Sequence, residues 1–159
     1  MRDLMLFIDG SVNTQSHIGY GAYLALSEPG LSLDELRSCI KIKRFEQTSS
    51  TKLELQTLLW ALSEITAAGN KLMIYTDSQN IIGLPARRER LEQNDYCSRN
   101  GRALNDYQLY QEFYRMTDPL DYQLIKVQGH QQSNQKTVVD QIFTLVDRAS
   151  RQALREESR

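Results

Sequence analysis

Cysteine, proline and tryptophan are scarce here: two, three and one respectively in 159 residues. The two cysteines, Cys39 and Cys97, lie far apart without a CxxC spacing. That excludes a disulfide scaffold and a cysteine zinc site, and it reads as free thiols in a reducing compartment. No apolar run approaches the length of a membrane span, and no basic segment followed by an apolar core opens the chain, so no membrane association and a cytoplasmic location are expected. Neither sign of charge dominates, with 19 Lys and Arg against 20 Asp and Glu and a net charge of −1. Any nucleic-acid binding must therefore come from local patches, since bulk electrostatics does not announce it. Repeats and low-complexity tracts are absent too. What is present is an apolar fraction of 40%, enough for one domain over residues 1–159 with a full core.

The apolar segments follow a clear order. Leu4 to Ile8 reads as a strand covered on both faces, and it runs into Asp9, Gly10 and Ser11. Taken alone, Asp9 is either a turn residue or a carboxylate aimed at a site. Gly19 to Ser27 and the alternating Cys39 to Phe45 read as two further strands of an antiparallel meander, with EPG a turn and LSLDEL a short irregular connection between them. From Thr51 to Ala68, Leu53, Leu55, Leu58, Leu59, Leu62 and Ile65 keep helical spacing, and Gly69 and Asn70 supply cap residues. Lys71 to Thr76 is a fourth, buried strand leading into Asp77 and Ser78. Two apolar strands thus each end in an aspartate with a small neighbour, and open α/β sheets gather polar groups at strand ends where ligands sit.

Asn80 to Leu104 reads as irregular, broken by Pro85 and Gly101 and rich in arginine. Leu104 to Met116 is expected to be a helix whose stripe of Tyr107, Tyr110, Phe113 and Tyr114 packs in the core, stopped by Asp118 and Pro119. Tyr122 to Val127 is a fifth strand, GHQQSNQKT a loop, and Val138 to Arg155 a closing amphipathic helix.

IDGS with the following GYGAY, STKLELQTLLWAL, YTDSQ, and VQGH before the last helix occur in that order on the expected elements. In these stretches the chain resembles the type 1 ribonuclease H family almost from end to end. The resemblance implies an α/β fold: a five-stranded mixed sheet, three antiparallel strands then parallel strands, flanked by helices. It implies a metal-dependent endoribonuclease that hydrolyses the RNA strand of RNA–DNA hybrids and leaves 5′-phosphate and 3′-hydroxyl ends. The implied cofactor is Mg²⁺, with Mn²⁺ as an alternative, two ions per site with substrate bound. The implied partner is the hybrid, and no protein partner is inferable.

Asp9, Glu54 and Asp77 stand where the family has three metal ligands. Hard oxygen ligands suit Mg²⁺, and two cations roughly 4 Å apart can activate water and neutralise charge on the reacting phosphate. Repulsion among the packed acids should raise at least one pKa in the metal-free protein. For Glu54 the bland alternative is a solvated helix residue. The fourth acid has two candidates. Counting from His130 by the family's spacing reaches Asp140, whereas VDRASRQAL around Asp147 matches the family's closing segment better. The two lie about 10 Å apart along a helix, so both cannot hold one ion. Thr137 to Asp140 has the form of a capping box, which gives Asp140 a structural task and favours Asp147 as the ligand.

His130, in a polar loop after the fifth strand, is where the family has a histidine that shuttles a proton or aids product release; the alternative is an ordinary surface histidine, the reading kept for His17. Gly10, Ser11, Ser50, Thr51 and Gln79 occupy the places of substrate contacts that read 2′-hydroxyls. Two departures bear on those contacts. Ser50 and Thr51 stand where the family often has asparagines, and NTQSHIG replaces its glycine-rich first turn. The family's Trp-rich basic protrusion is also missing: Trp60 sits on the apolar side of a helix, and Arg87, Arg88, Arg90, Arg99 and Arg102 form either a phosphate-binding patch or a solvated segment. Two rival readings stay open: a non-catalytic nucleic-acid-binding module on this fold, and a nuclease of this fold with another nucleic-acid substrate.

Overall fold

The computed structural model describes residues 3–27, 30–67, 70–128 and 137–157. In chain order its elements are β1 (Asp3–Asn13), β2 (Ile18–Leu26), α1 (Leu33–Cys39), β3 (Lys41–Phe45), α2 (Ser50–Glu64), β4 (Lys71–Thr76), α3 (Gln79–Ile82), α4 (Leu84–Gln93), α5 (Tyr107–Thr117), β5 (Asp121–Lys126) and α6 (Val138–Glu157). The strands form one sheet in the order β3-β2-β1-β4-β5. β1 pairs antiparallel with β2, and β2 with β3, while β4 runs parallel to both β1 and β5. This is the five-stranded mixed sheet flanked by helices that the motifs imply.

Alternation along β1 explains why its run is wholly apolar. Leu6 and Ile8 join the core beneath α2 and α5, with Leu55, Leu58, Ile74 and Phe113. Phe7 points to the opposite core beneath α6 and α1, with Leu24, Leu36, Tyr75, Phe143 and Val146. Phe7 and Tyr75 stack there with ring centroids 4.6 Å apart. Each fully buried leucine or phenylalanine of these two layers contributes about 1.5–3 kcal/mol, so the sheet is anchored from both sides. The aromatic stripe of α5 is core as expected, with Tyr110, Phe113 and Tyr114 buried.

Several local expectations are corrected. LSLDEL is not irregular: Ser32 and Glu35 form a reciprocal capping box that starts α1, a signature readable in SLDE. Cys39 consequently ends a helix instead of opening a strand, and β3 begins at Lys41. α2 stops at Glu64 and not at Ala68, because Ile65 turns extended at φ −91 and ψ 155; its β-branched side chain lowers helix preference and packs on the core instead. Gly69, proposed as a cap, lies outside the described residues. The arginine-rich stretch also contains helix, α3 and α4, since Pro85 stands at the start of α4, where its missing N–H is harmless. Leu84 and Leu91, two turns apart, bury the inner face of α4.

Candidate active site

β1 does not stop at Asp9. It continues to Asn13 along β2, but its ladder with β4 ends at Phe7↔Tyr75. Two residues further on, the same register brings Asp9 level with Asp77, where β4 has left the sheet. Asp9 thus stands at a divergence between strands, which corrects the strand-end picture while keeping the two aspartates together.

Glu54 reaches the same place from α2. That helix is seated against the β1–β2 ladder at glycines: a Cβ on Gly10 would approach Leu53 Cδ2 to 2.9 Å, and one on Gly21 would overlap the Thr57 hydroxyl and come within 3.0 Å of Thr57 Cβ. Backbone therefore meets helix directly, and this draws Glu54 towards the sheet. A narrow cleft results, lined by Ile8, Asp9, Glu54, Thr57, Thr76 and Asp77.

The electrostatics of the cleft are those of crowded acids. Burial raises the half-buried Asp9 carboxyl from 3.8 to about 9, helped by a carboxyl–carboxyl hydrogen bond with Asp147 and by the charges of Asp77 and Asp147. A carboxyl raised this far is protonated at neutral pH in the metal-free site, and that proton is the one available to Asp147. Glu54 is also raised, chiefly by burial and further by Asp77, against which the Ser78 hydroxyl acts in the opposite direction.

Asp147 approaches from α6 and accepts a 3.0 Å hydrogen bond from Arg151 Nε. Asp140 is engaged elsewhere. Its carboxylate accepts from the Thr137 backbone N–H at 3.0 Å, and its own N–H donates to Thr137 Oγ1 at 3.2 Å, closing a capping box at the start of α6. Among the described residues, no three His, Cys, Asp or Glu side chains converge as a preformed metal cage. The donor set still suits a hard divalent cation: several carboxylates face one cleft that is short of positive charge.

The residues expected to contact substrate lie on β1, α2 and α3. Ser50 and Thr51 are exposed on the first turn of α2, with Ser49 as the N-cap. Gln79 is exposed on α3 and accepts from Lys126 Nζ at 2.7 Å. Gly10 faces Leu53, and the Ser11 hydroxyl lies 3.0 Å from that of Ser150 on α6. His130 lies outside the described residues. Trp60 packs edge-on against Tyr23, with ring centroids 4.8 Å apart.

The arginines divide in two. Arg88 is neutralised by Glu92 and Asp118. Arg87 is held by Asn80 Oδ1 at 2.7 Å. Arg90 and Arg99 have no carboxylate partner among the described residues and line a cleft of about 510 Å³ with Arg87, Asn94 and Ser98. Reading the residues alone missed one group, Ser78, whose buried hydroxyl touches Glu54. The small residue after Asp77, opening a short helix, was its visible trace.

A family model described as RNase H matches residues 1–151. No curated protein sequence matched the chain. No helix among the described residues is long and apolar enough to cross a membrane. The match spans every acid of the cleft, from Asp9 on β1 to Asp147 on α6, and the chain belongs to the RNase H family, hydrolases that act on the RNA of RNA–DNA hybrids with divalent metal ions.

Proposed function

We propose that this protein is an endoribonuclease that cuts the RNA strand of RNA–DNA hybrids with two divalent cations, Mg²⁺ or Mn²⁺, held by Asp9, Glu54, Asp77 and Asp147. The observation that carries the reading is the gathering of Asp9, Glu54 and Asp77 in one cleft where the β1–β4 ladder ends. Cations held there would supply positive charge to neutralise developing charge on the phosphate and on the leaving oxygen. The carboxylates keep that charge at the end of the β1–β4 ladder. Asp140 acts as a helix cap. His130 moves a proton to the leaving group.

Ser50, Thr51 and Gln79 offer short polar groups to the 2′-hydroxyls that distinguish RNA from DNA, and Gly10 and Ser11 complete the substrate-facing turn of β1. Arg90 and Arg99 bind backbone phosphates, giving salt-sensitive affinity without sequence readout. The test is cleavage of a labelled hybrid with Mg²⁺ or Mn²⁺, beside single-stranded RNA, double-stranded RNA and the Asp9→Asn variant. Hybrid-specific products that vanish in the variant support the proposal. Binding without cleavage under either metal overturns it in favour of a binding module. Preferential cleavage of another RNA transfers the activity to a different substrate.

A further inference from the structure

We infer that Ser78 is a positioning residue for Glu54, fixing which of its carboxylate oxygens is left for a divalent cation; this rests on the reading of Glu54 as a metal ligand. Ser78 is 4% exposed and directly follows Asp77. Its backbone N–H donates to Thr76 Oγ1 at 3.1 Å, which holds the residue as the chain leaves β4. Its hydroxyl makes two contacts of opposite sense. It accepts from the Ile81 backbone N–H at 3.2 Å, as the N-cap of α3, and it lies 2.5 Å from Glu54 Oε2.

The Ile81 N–H occupies one of the hydroxyl's two lone pairs, and an ionised carboxylate can only accept, so the hydroxyl's single proton goes to the other partner. The other partner is Glu54 Oε2. With Glu54 ionised, as a metal ligand must be, the hydroxyl donates and Oε2 becomes a committed acceptor. Glu54 is then a ligand through its other oxygen, with the carboxylate plane held against rotation. Partners of this kind around metal ligands orient the first shell and tune affinity. The contact also ties α2 to the turn that carries Asp77, so two candidate ligands from different elements share one anchor. Ser32 of α1 also accepts from a cap N–H and donates to a glutamate, but that glutamate, Glu35, belongs to its own helix, whereas Ser78 reaches a glutamate on a different one.

The experiment is Mn²⁺ binding by titration calorimetry on the full chain, with thermal melts alongside. Ser78→Gly is the informative variant, because glycine is tolerated at an N-cap with little loss of stability while the hydroxyl disappears. It should weaken Mn²⁺ binding by about tenfold, the lower end of what such partners contribute. Ser78→Thr should restore wild-type affinity, and Ser32→Gly should leave it unchanged. Two results overturn the inference: wild-type affinity in Ser78→Gly when Glu54→Gln has lost it, or equal weakening in a normally folded Ser78→Thr. Unchanged binding in Glu54→Gln overturns instead the assignment of Glu54 as a ligand.

Discussion

Replacing Asp9 by Asn should stabilise the metal-free protein while abolishing its activity, and the gain should depend on pH. The folded protein holds the Asp9 carboxyl at about 9 against an ordinary value of 3.8, so between those limits it keeps a proton that the unfolded chain releases. Stability therefore falls as pH rises across that window, by about 1.4 kcal/mol per pH unit, and the burden reaches on the order of 4 kcal/mol by pH 7. Burial is the largest cause, with the hydrogen bond to Asp147 and the charges of Asp77 and Asp147 next. An asparagine cannot ionise, and its amide can donate to Asp147 in place of the shared proton. Other acids of the cluster relax once Asp9 is neutral, so a net gain of about 1–3 kcal/mol at pH 8 is expected, or roughly 3–8 °C in Tm for a chain of this size. The assay is thermal unfolding in EDTA followed by circular dichroism from pH 4.5 to 8.5. The gain should shrink below about 1 kcal/mol at pH 4.5, which lies less than one pH unit above the ordinary carboxyl value of 3.8. Added Mg²⁺ should raise the wild-type Tm at pH 8 and leave Asp9→Asn unmoved. A destabilised Asn variant at pH 8, or an equal gain at both ends of the range, would refute the reasoning.

Asp147→Asn should lower hybrid cleavage at least a hundredfold with little change in stability, whereas Asp140→Asn keeps an oxygen for the Thr137 N–H and should lose only the acid's charge at the start of α6, about 0.3–1 kcal/mol, with activity within a few-fold; kcat and Tm measured on both variants distinguish the two acids. Gly21→Ala should cost about 1–3 kcal/mol by forcing α2 off the β1–β2 ladder and should raise the Mg²⁺ concentration needed for activity, because Glu54 moves with the helix. Combining it with Thr57→Ala removes the overlapping hydroxyl and should recover part of both losses, read by Tm and by metal titration. The double variant Arg90→Ala/Arg99→Ala should raise KM for the hybrid with kcat nearly unchanged and reduce the slope of log affinity against log salt by about two; an unchanged salt slope would show these arginines to be solvated surface.

Most of the architecture follows from local pattern. The apolar runs of β1 and β4 announce buried strands, leucine spacing announces α2, and the aromatic stripe of α5 proves to be core. Even α1 was written in the sequence, in the Ser32–Glu35 box, although its short length made it look like a connection. The start of α4 at Pro85 was obscured because the same residue signals both a break and a first turn. Such features depend on residues within a turn or two of one another.

The site is of another kind. The sequence by itself supplied three candidate acids in order, Asp9, Glu54 and Asp77, a fourth left between Asp140 and Asp147, and the family to which that order belongs. Tertiary structure alone decided that β1 outruns its ladder with β4, so that Asp9 and Asp77 face each other across a divergence. It also placed Asp147 against Asp9 and gave the Ser78 hydroxyl to Glu54. These are contacts between residues far apart in the chain. Strand register, the close approach of α2 allowed by Gly10 and Gly21, and the packing of α6 fix them, and each is settled by the burial of whole faces that no local stretch specifies.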